Sequence, residues 1–374
     1  MILPFSLSVT LMKNKRLVGI FIIVFFIAAF FYHNYSYPSE DEQKVLEISL
    51  NISKEIEDIR NLYFKEKPKI KVLTREEALE KWGPSKEDYN EIKKWELIYK
   101  MTLLVPLDYN LTKTETQETA SWIAVTSGDK VYIISENFFK TGKTSQRILA
   151  HEFTHVLQKQ YFDPKYPETL DGSLAIKALV EGDADLTADI YCKTHNIRIE
   201  KITSLYLTNP PLNFGYFPYV FGDRFVEYLY SIGGWDAVNN AYLDPPKTTQ
   251  QVMHPELYLN KTLPQDLTFS IDENYRVIHR DRLGEFYFYL LMLINHVPSE
   301  KAIKLTSAWN GDALILAENS THYILIWKSS WKKKESLNSL YKLFINKSKN
   351  LNDPKIQVSA YKDELTFKSV LPKQ

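Results

Sequence analysis

A single cysteine, Cys192, stands in 374 residues, so no disulfide can form within the chain and an apolar core must hold it together. With 44% hydrophobic and 14% aromatic residues, the material for that core is present. Cys192 itself reads as a small buried side chain. Net charge is missing as well, since 46 basic residues face 46 acidic ones. The one notable basic run, Trp331-Lys-Lys-Lys334, reads as a solvated helix start, and together these argue against a nucleic-acid partner. Internal repeats and long low-complexity tracts are absent, which excludes repeat architectures.

A cleavage signal is the next absence. Leu17 to Tyr32 is an uncharged apolar run directly behind Lys13, Lys15 and Arg16. No A-x-A-like site and no lipobox cysteine follows it, so an uncleaved signal anchor is expected rather than a removed signal peptide. Its length is near the lower limit of about 17 residues for a span. The basic flank puts residues 1–16 in the cytoplasm, 17–32 across the membrane, a juxtamembrane linker at 33–43 and the rest outside. Met12 is as good a start as Met1, because Met12-Lys-Asn-Lys-Arg16 makes a compact basic segment. The N-x-S/T sequons at Asn34, Asn51, Asn110, Asn260, Asn319 and Asn346 all fall on the expected outer side, as suits a glycoprotein.

What the chain does contain is an intact H-E-x-x-H, His151-Glu-Phe-Thr-His155. Residues four apart share a helix face, so the two imidazoles can bind one cation while Glu152 reaches a water on it. Leu149, Phe153, Val156 and Leu157 form an apolar stripe, Ser145 is a plausible N-cap, and no Gly or Pro intervenes before Asp163-Pro164. The metzincin extension fails, with Gln158 in place of its Gly and Tyr161 in place of its third His. Further on, Glu181, Asp185 and Asp189 recur every four residues between apolar neighbours, in a helix starting near Asp171. A carboxylate row pressed toward a core is costly unless it is paired or bound to metal.

H-E-x-x-H followed, 26 residues after its second His, by Glu181-x-x-x-Asp185 resembles the gluzincins, zinc metallopeptidases whose third ligand is a glutamate. Ala150 to Gln158, Ala178 to Ala184, Gly233-Gly-Trp235, Thr248 to Glu256 and Leu283-Gly-Glu-Phe286 resemble a group of prokaryotic membrane-linked gluzincin-like proteins over roughly residues 119–345. The resemblance implies that His151, His155 and Glu181 bind one zinc ion, that Glu152 is the general base, and that Asp185 accepts a hydrogen bond from a ligand imidazole. It brings no substrate with it.

Ala120 to Val125 and Lys130 to Ser135 are β-rich runs around Thr126-Ser-Gly-Asp129, a hairpin leading into the metal helix. In gluzincin-like folds its first strand is a sheet edge along the cleft, which would put Ser121, Trp122 and Ile123 against an extended substrate. A donor to the developing oxyanion is also expected well after the third ligand. His254, in a loop stiffened by Pro245-Pro246 and Pro255, is one candidate, with a purely structural role as its alternative. Tyr216, Tyr219 and Tyr258 are its rivals.

Helical patterns are expected around 41–63, 74–82, 85–102, 217–232, 235–242, 283–296 and 299–309. A turn at Asn310-Gly-Asp312 and strands near 313–317 and 322–328 should follow. The expected whole is α+β and zincin-like, mostly helical with a small sheet: a metallopeptidase domain at 44–260 and an α+β subdomain at 261–374 packed on it. Its expected activity is zinc-dependent endopeptidase action on polypeptides, at the outer face of the cell membrane. The alternatives are a zinc-stabilised binding or scaffold domain that cleaves nothing, and hydrolysis of a non-peptide substrate.

Overall fold

The alternation Lys-Ile-Lys-Val-Leu makes Lys69–Leu73 a strand, β1, lying between the helix α1 (Glu40–Arg60) and the helices α2 (Arg75–Trp82) and α3 (Asp88–Met101). The computed structural model describes residues 40–82, 88–112, 123–349 and 351–373. Contacts group Ile48–Gln374 into one compact unit, and of the other, Met1–Glu47, only the start of α1 is described. The anchor expected at 17–32 lies outside the described residues. Among those described, no helix is long and apolar enough to cross a membrane.

The hairpin forms as β2 (Ala124–Ser127) and β3 (Lys130–Ile134), closed by Gly128-Asp129 with Gly128 at φ 66°. The turn is two residues shorter than expected, since Thr126 and Ser127 pair with Val131 and Lys130. Parallel pairing of β1 with β3 gives the order β1-β3-β2 and leaves β2 at the edge. The short helix α4 (Ser135–Lys140) then leads into α5 (Thr144–Tyr161). Ser145 is not the N-cap of α5: that position is Lys143, and the Ser145 hydroxyl donates to the Gly142 carbonyl at 2.6 Å.

Next comes α6 (Leu170–Thr194), whose N-cap Thr169 accepts the Gly172 N–H. It packs on α7 (Leu212–Leu243), which breaks at Gly233-Gly234. Gly182 of α6 and Gly222 of α7 let the two backbones touch. A Cβ on Gly222 would sit 2.2 Å from the Ala178 carbonyl oxygen, and one on Gly182 would sit 2.2 Å from that of Gly222. This approach fixes the height of Glu181 against Tyr219, one residue before Gly182 and three before Gly222.

The short helices α8 (Thr249–Met253) and α9 (Pro255–Leu259) precede β4 (Arg276–Asp281), α10 (Gly284–Ile294) and α11 (Ser299–Thr306). An antiparallel sheet follows, ordered β4-β5-β6-β8-β7, from β5 (Trp309–Glu318), β6 (His322–Trp331), β7 (Lys355–Tyr361) and β8 (Glu364–Pro372), with α12 (Lys334–Ser348) before β7. Asn310-Gly-Asp312 is no turn. It is a bulge inside β5, where the register shifts between Trp309 and Asp312 and Gly311 takes φ 130°. Bulging brings Asp312 under the start of α10, where its carboxylate accepts from the N–H groups of Leu283 and Gly284 and the indoles of Trp309 and Trp327. The main core runs through α3, α6, α7 and α10 to the sheet.

Candidate metal centre

Helical spacing sets His151 and His155 one turn apart on α5, and α6 brings Glu181 to meet them. His155 Nε2 lies 3.0 Å from His151 Nε2 and 3.5 Å from Glu181 Oε2, and His151 Nε2 lies 3.1 Å from the same oxygen. A tetrahedral ion with bonds of about 2.0–2.1 Å separates its donor atoms by about 3.3 Å. The three donors therefore fit one such ion and leave the fourth position toward the cavity. Among the described residues, this is a group able to hold a metal.

Each imidazole is held from behind. His151 Nδ1 is 3.0 Å from Asp185 Oδ1, and His155 Nδ1 is 2.8 Å from Gln158 Oε1. Buried Arg147, one turn before His151, ties Asp185 (2.9 Å) to Asp189 (2.8 Å), and Asp189 also accepts from Lys201 at 2.6 Å. The carboxylate row of α6 is thus divided, with Glu181 facing the metal position, Asp185 shared by His151 and Arg147, and Asp189 paired with two cations. Burial alone would lower the His151 pKa, but hydrogen bonds to Asp185 and Glu181 outweigh it and push the imidazole up to about 10. Burial would raise Glu181, yet the neighbouring imidazoles hold it well below the usual carboxylate range. The cluster favours positive charge at its centre, which a bound cation would supply in place of protons.

Because Asp185 both orients His151 and raises its basicity, Asp185→Asn should weaken metal binding by about 10- to 100-fold. Titration with Zn²⁺ against a competing chelator measures the change, and an unaltered affinity would remove Asp185 from this role.

A cavity of ≈ 580 Å³ opens on the site, lined by Ala124, Val125, Thr126 and Gly128 of the hairpin, by His151, Glu152, His155 and Lys159 of α5, and by Tyr166, Glu181 and Tyr219. Glu152 lines it without joining the three donors, and its main-chain carbonyl accepts from the Thr126 hydroxyl at 3.0 Å, tying β2 to the metal helix. The Tyr219 ring stacks on His151 with centroids 6.1 Å apart, within reach of the Glu181 charge. The charge of Glu181, then burial, raises the Tyr219 pKa well above its ordinary value, so the phenol keeps its proton.

Not every expected residue reaches this cavity. Ser121 and Trp122 lie outside the described residues. Ile123 turns its carbonyl inward to the Ile134 N–H (2.9 Å) and does not line the cavity. In an antiparallel pair, bonded and non-bonded positions alternate, so with 123 facing β3 the peptide groups of Ala124 and Thr126 face away from it. Among the described residues, the open edge is therefore carried by Ala124 and Thr126.

His254 is not at the site either. Its Nε2 is 2.9 Å from Oε1 of the fully buried Glu285, which also accepts from Thr306 at 3.1 Å. It pins the α8–α9 junction to α10. Burial would lower its pKa, but the bond to Glu285 raises it. Of its rivals, Tyr258 gives its hydroxyl to the Asp244 carbonyl (3.0 Å), and Tyr219 alone of the three lines the cavity. Sequence reading missed Arg147 and the role of Gln158, although both are polar positions on the ligand helix, four before and three after a ligand.

A family model described as the eCIS core domain, a name linked to metallopeptidase-like proteins, matches residues 109–161. The match covers the hairpin and the whole of α5 and stops before Glu181. Comparison with curated proteins and with solved structures gives no match.

Proposed function

We propose that this chain is a gluzincin-type zinc endopeptidase, anchored in the membrane by residues 17–32 and acting on polypeptides outside the cytoplasm. The observation that carries the reading is Glu152. A metal kept only for structure calls for a closed set of protein ligands, not for a further carboxylate in the same cavity that joins none of the three donors. The donor set of two imidazoles and one carboxylate with an open fourth position suits catalytic zinc. When bound, zinc supplies Lewis acidity at the scissile carbonyl and an acidified water.

The chain's own groups do the rest. The Glu152 carboxylate takes the proton of the attacking water and hands it to the leaving nitrogen. Tyr219, kept neutral, gives its hydroxyl proton in a hydrogen bond to the oxygen on which negative charge develops. The turned-out peptide groups of Ala124 and Thr126 hold an extended substrate through main-chain hydrogen bonds, which demand no particular side chain. The purified full chain in detergent, incubated with a diverse peptide library, should produce internal cuts that a chelator abolishes and Zn²⁺ restores. Absence of any cut at one metal per chain would favour a non-catalytic binding domain.

Tyr219→Phe keeps the ring on His151 and removes only the donor. kcat should fall on the order of 100-fold, with metal content intact and KM little changed. A rise in KM with kcat unchanged would instead move Tyr219 to substrate binding.

A further inference from the structure

Gln158, on sequence no more than the residue that breaks the metzincin pattern, is buried at 2% exposure and uses its whole amide. Its Nε2 lies 2.8 Å from the Val180 carbonyl and 3.0 Å from Asp183 Oδ2, and both of these oxygens can only accept. Both amide hydrogens are therefore spent on α6, and Oε1 has no choice but to accept. Its partner at 2.8 Å is His155 Nδ1, which must then carry the proton, and His155 Nε2 keeps its lone pair toward His151 and Glu181.

Asp183 cannot swing away from this task. Arg60 forms a fully buried ion pair with it, Nε 3.0 Å from Oδ1 and Nη2 donating to Oδ2 at 3.3 Å, and the Tyr242 hydroxyl donates to Oδ2 at 2.8 Å. Arg60, the last residue of α1, is in turn held by Asn239 (2.8 Å) and by the Trp235 ring 4.0 Å from its guanidinium. An unbroken line of directed contacts runs from α1 through Asp183 and Gln158 to His155.

We propose that Gln158, locked by Val180 and by the Arg60–Asp183 pair, is the positioning residue that fixes the tautomer and direction of His155 for the metal. The two ligand histidines are thereby held unequally. A carboxylate orients His151 and adds electron density, whereas a neutral amide orients His155 without adding charge. The inference rests on the reading that His151, His155 and Glu181 hold a metal, and is independent of whether the bound metal hydrolyses anything.

Titration of the full chain in detergent with Co²⁺, followed by visible absorption, tests it. Gln158→Met, close in volume but without the acceptor, should raise the Co²⁺ dissociation constant by about 10- to 100-fold. The visible bands of the Co²⁺ that the Met variant does bind should shift as well, because a His155 ring without its Oε1 partner no longer presents Nε2 in one fixed direction. Thr154→Val, a buried change beside His155 on α5 that removes only a hydroxyl donating back to the Ala150 carbonyl at 2.9 Å, should bind Co²⁺ within about twofold of the wild type. Should the Met variant not fold, Gln158→Asn, too short to reach both sides, carries the same expected loss. Wild-type affinity in the Met or Asn variant overturns the proposal. So does equal weakening in Thr154→Val, which would report a metal helix loosened by any buried change rather than a directed contact. Co²⁺ uptake by the wild type without peptide cleavage would sink the peptidase reading and leave this one standing.

Discussion

Glu152→Gln should take up metal as the wild type does and cut peptides on the order of 1,000-fold more slowly. The side chain lines the cavity but supplies none of the three donor atoms, so an amide of the same shape leaves the ligand geometry untouched. Among the described residues it does remove the one cavity carboxylate without an ion-pair or ligand task, since Glu181 faces the imidazoles, Asp185 is shared by His151 and Arg147, and Asp163 is paired with Lys159 and Lys165. The contrast is Glu181→Ala, in which metal and activity should disappear together. Metal content by atomic absorption beside kcat separates the two behaviours. Metal loss in Glu152→Gln would make Glu152 a ligand, and retained turnover would end its assignment as base.

How much of this was legible in the sequence depended on distance along the chain. His151, Glu152 and His155 share one helical turn, so residue type and the helix period suffice to place them together. The carboxylates of α6 were legible as a costly row, but the sequence did not say what relieves the cost. Arg147 and Lys201 do, from α5 and from the segment after α6. The residue proposed as oxyanion donor was the least legible element. Chain order favoured His254 and left Tyr219 as one of three rivals, and packing reverses that preference, burying His254 against Glu285 and laying Tyr219 over His151. β1 passed unnoticed because five residues of alternation are a weak signal, although its pairing makes β3 central and β2 the open edge.

The same dependence on packing makes Gly222→Ala a small substitution with a large expected effect outside the metal ligands. Gly222 has an ordinary helical backbone, so the objection to a side chain is contact rather than conformation. The added methyl would lie 2.2 Å from the Ala178 carbonyl oxygen and 2.8 Å from its carbon atoms, all backbone, and no rotamer can relieve it. Either α7 moves off α6 or the α6 hydrogen-bonding ladder bends, at a cost of about 3 kcal/mol or more. Movement of α7 carries Tyr219 away from Glu181 and His151, so the lesion should reach the site as well as the core. The expected result is a lowered melting temperature together with a fall in kcat resembling that of Tyr219→Phe in the fraction that remains folded. Gly215→Ala, on the same helix where an added Cβ meets nothing within 4 Å, is the control and should leave both quantities unchanged. If Gly222→Ala melts and turns over like Gly215→Ala, the close approach of α6 and α7 does not position Tyr219.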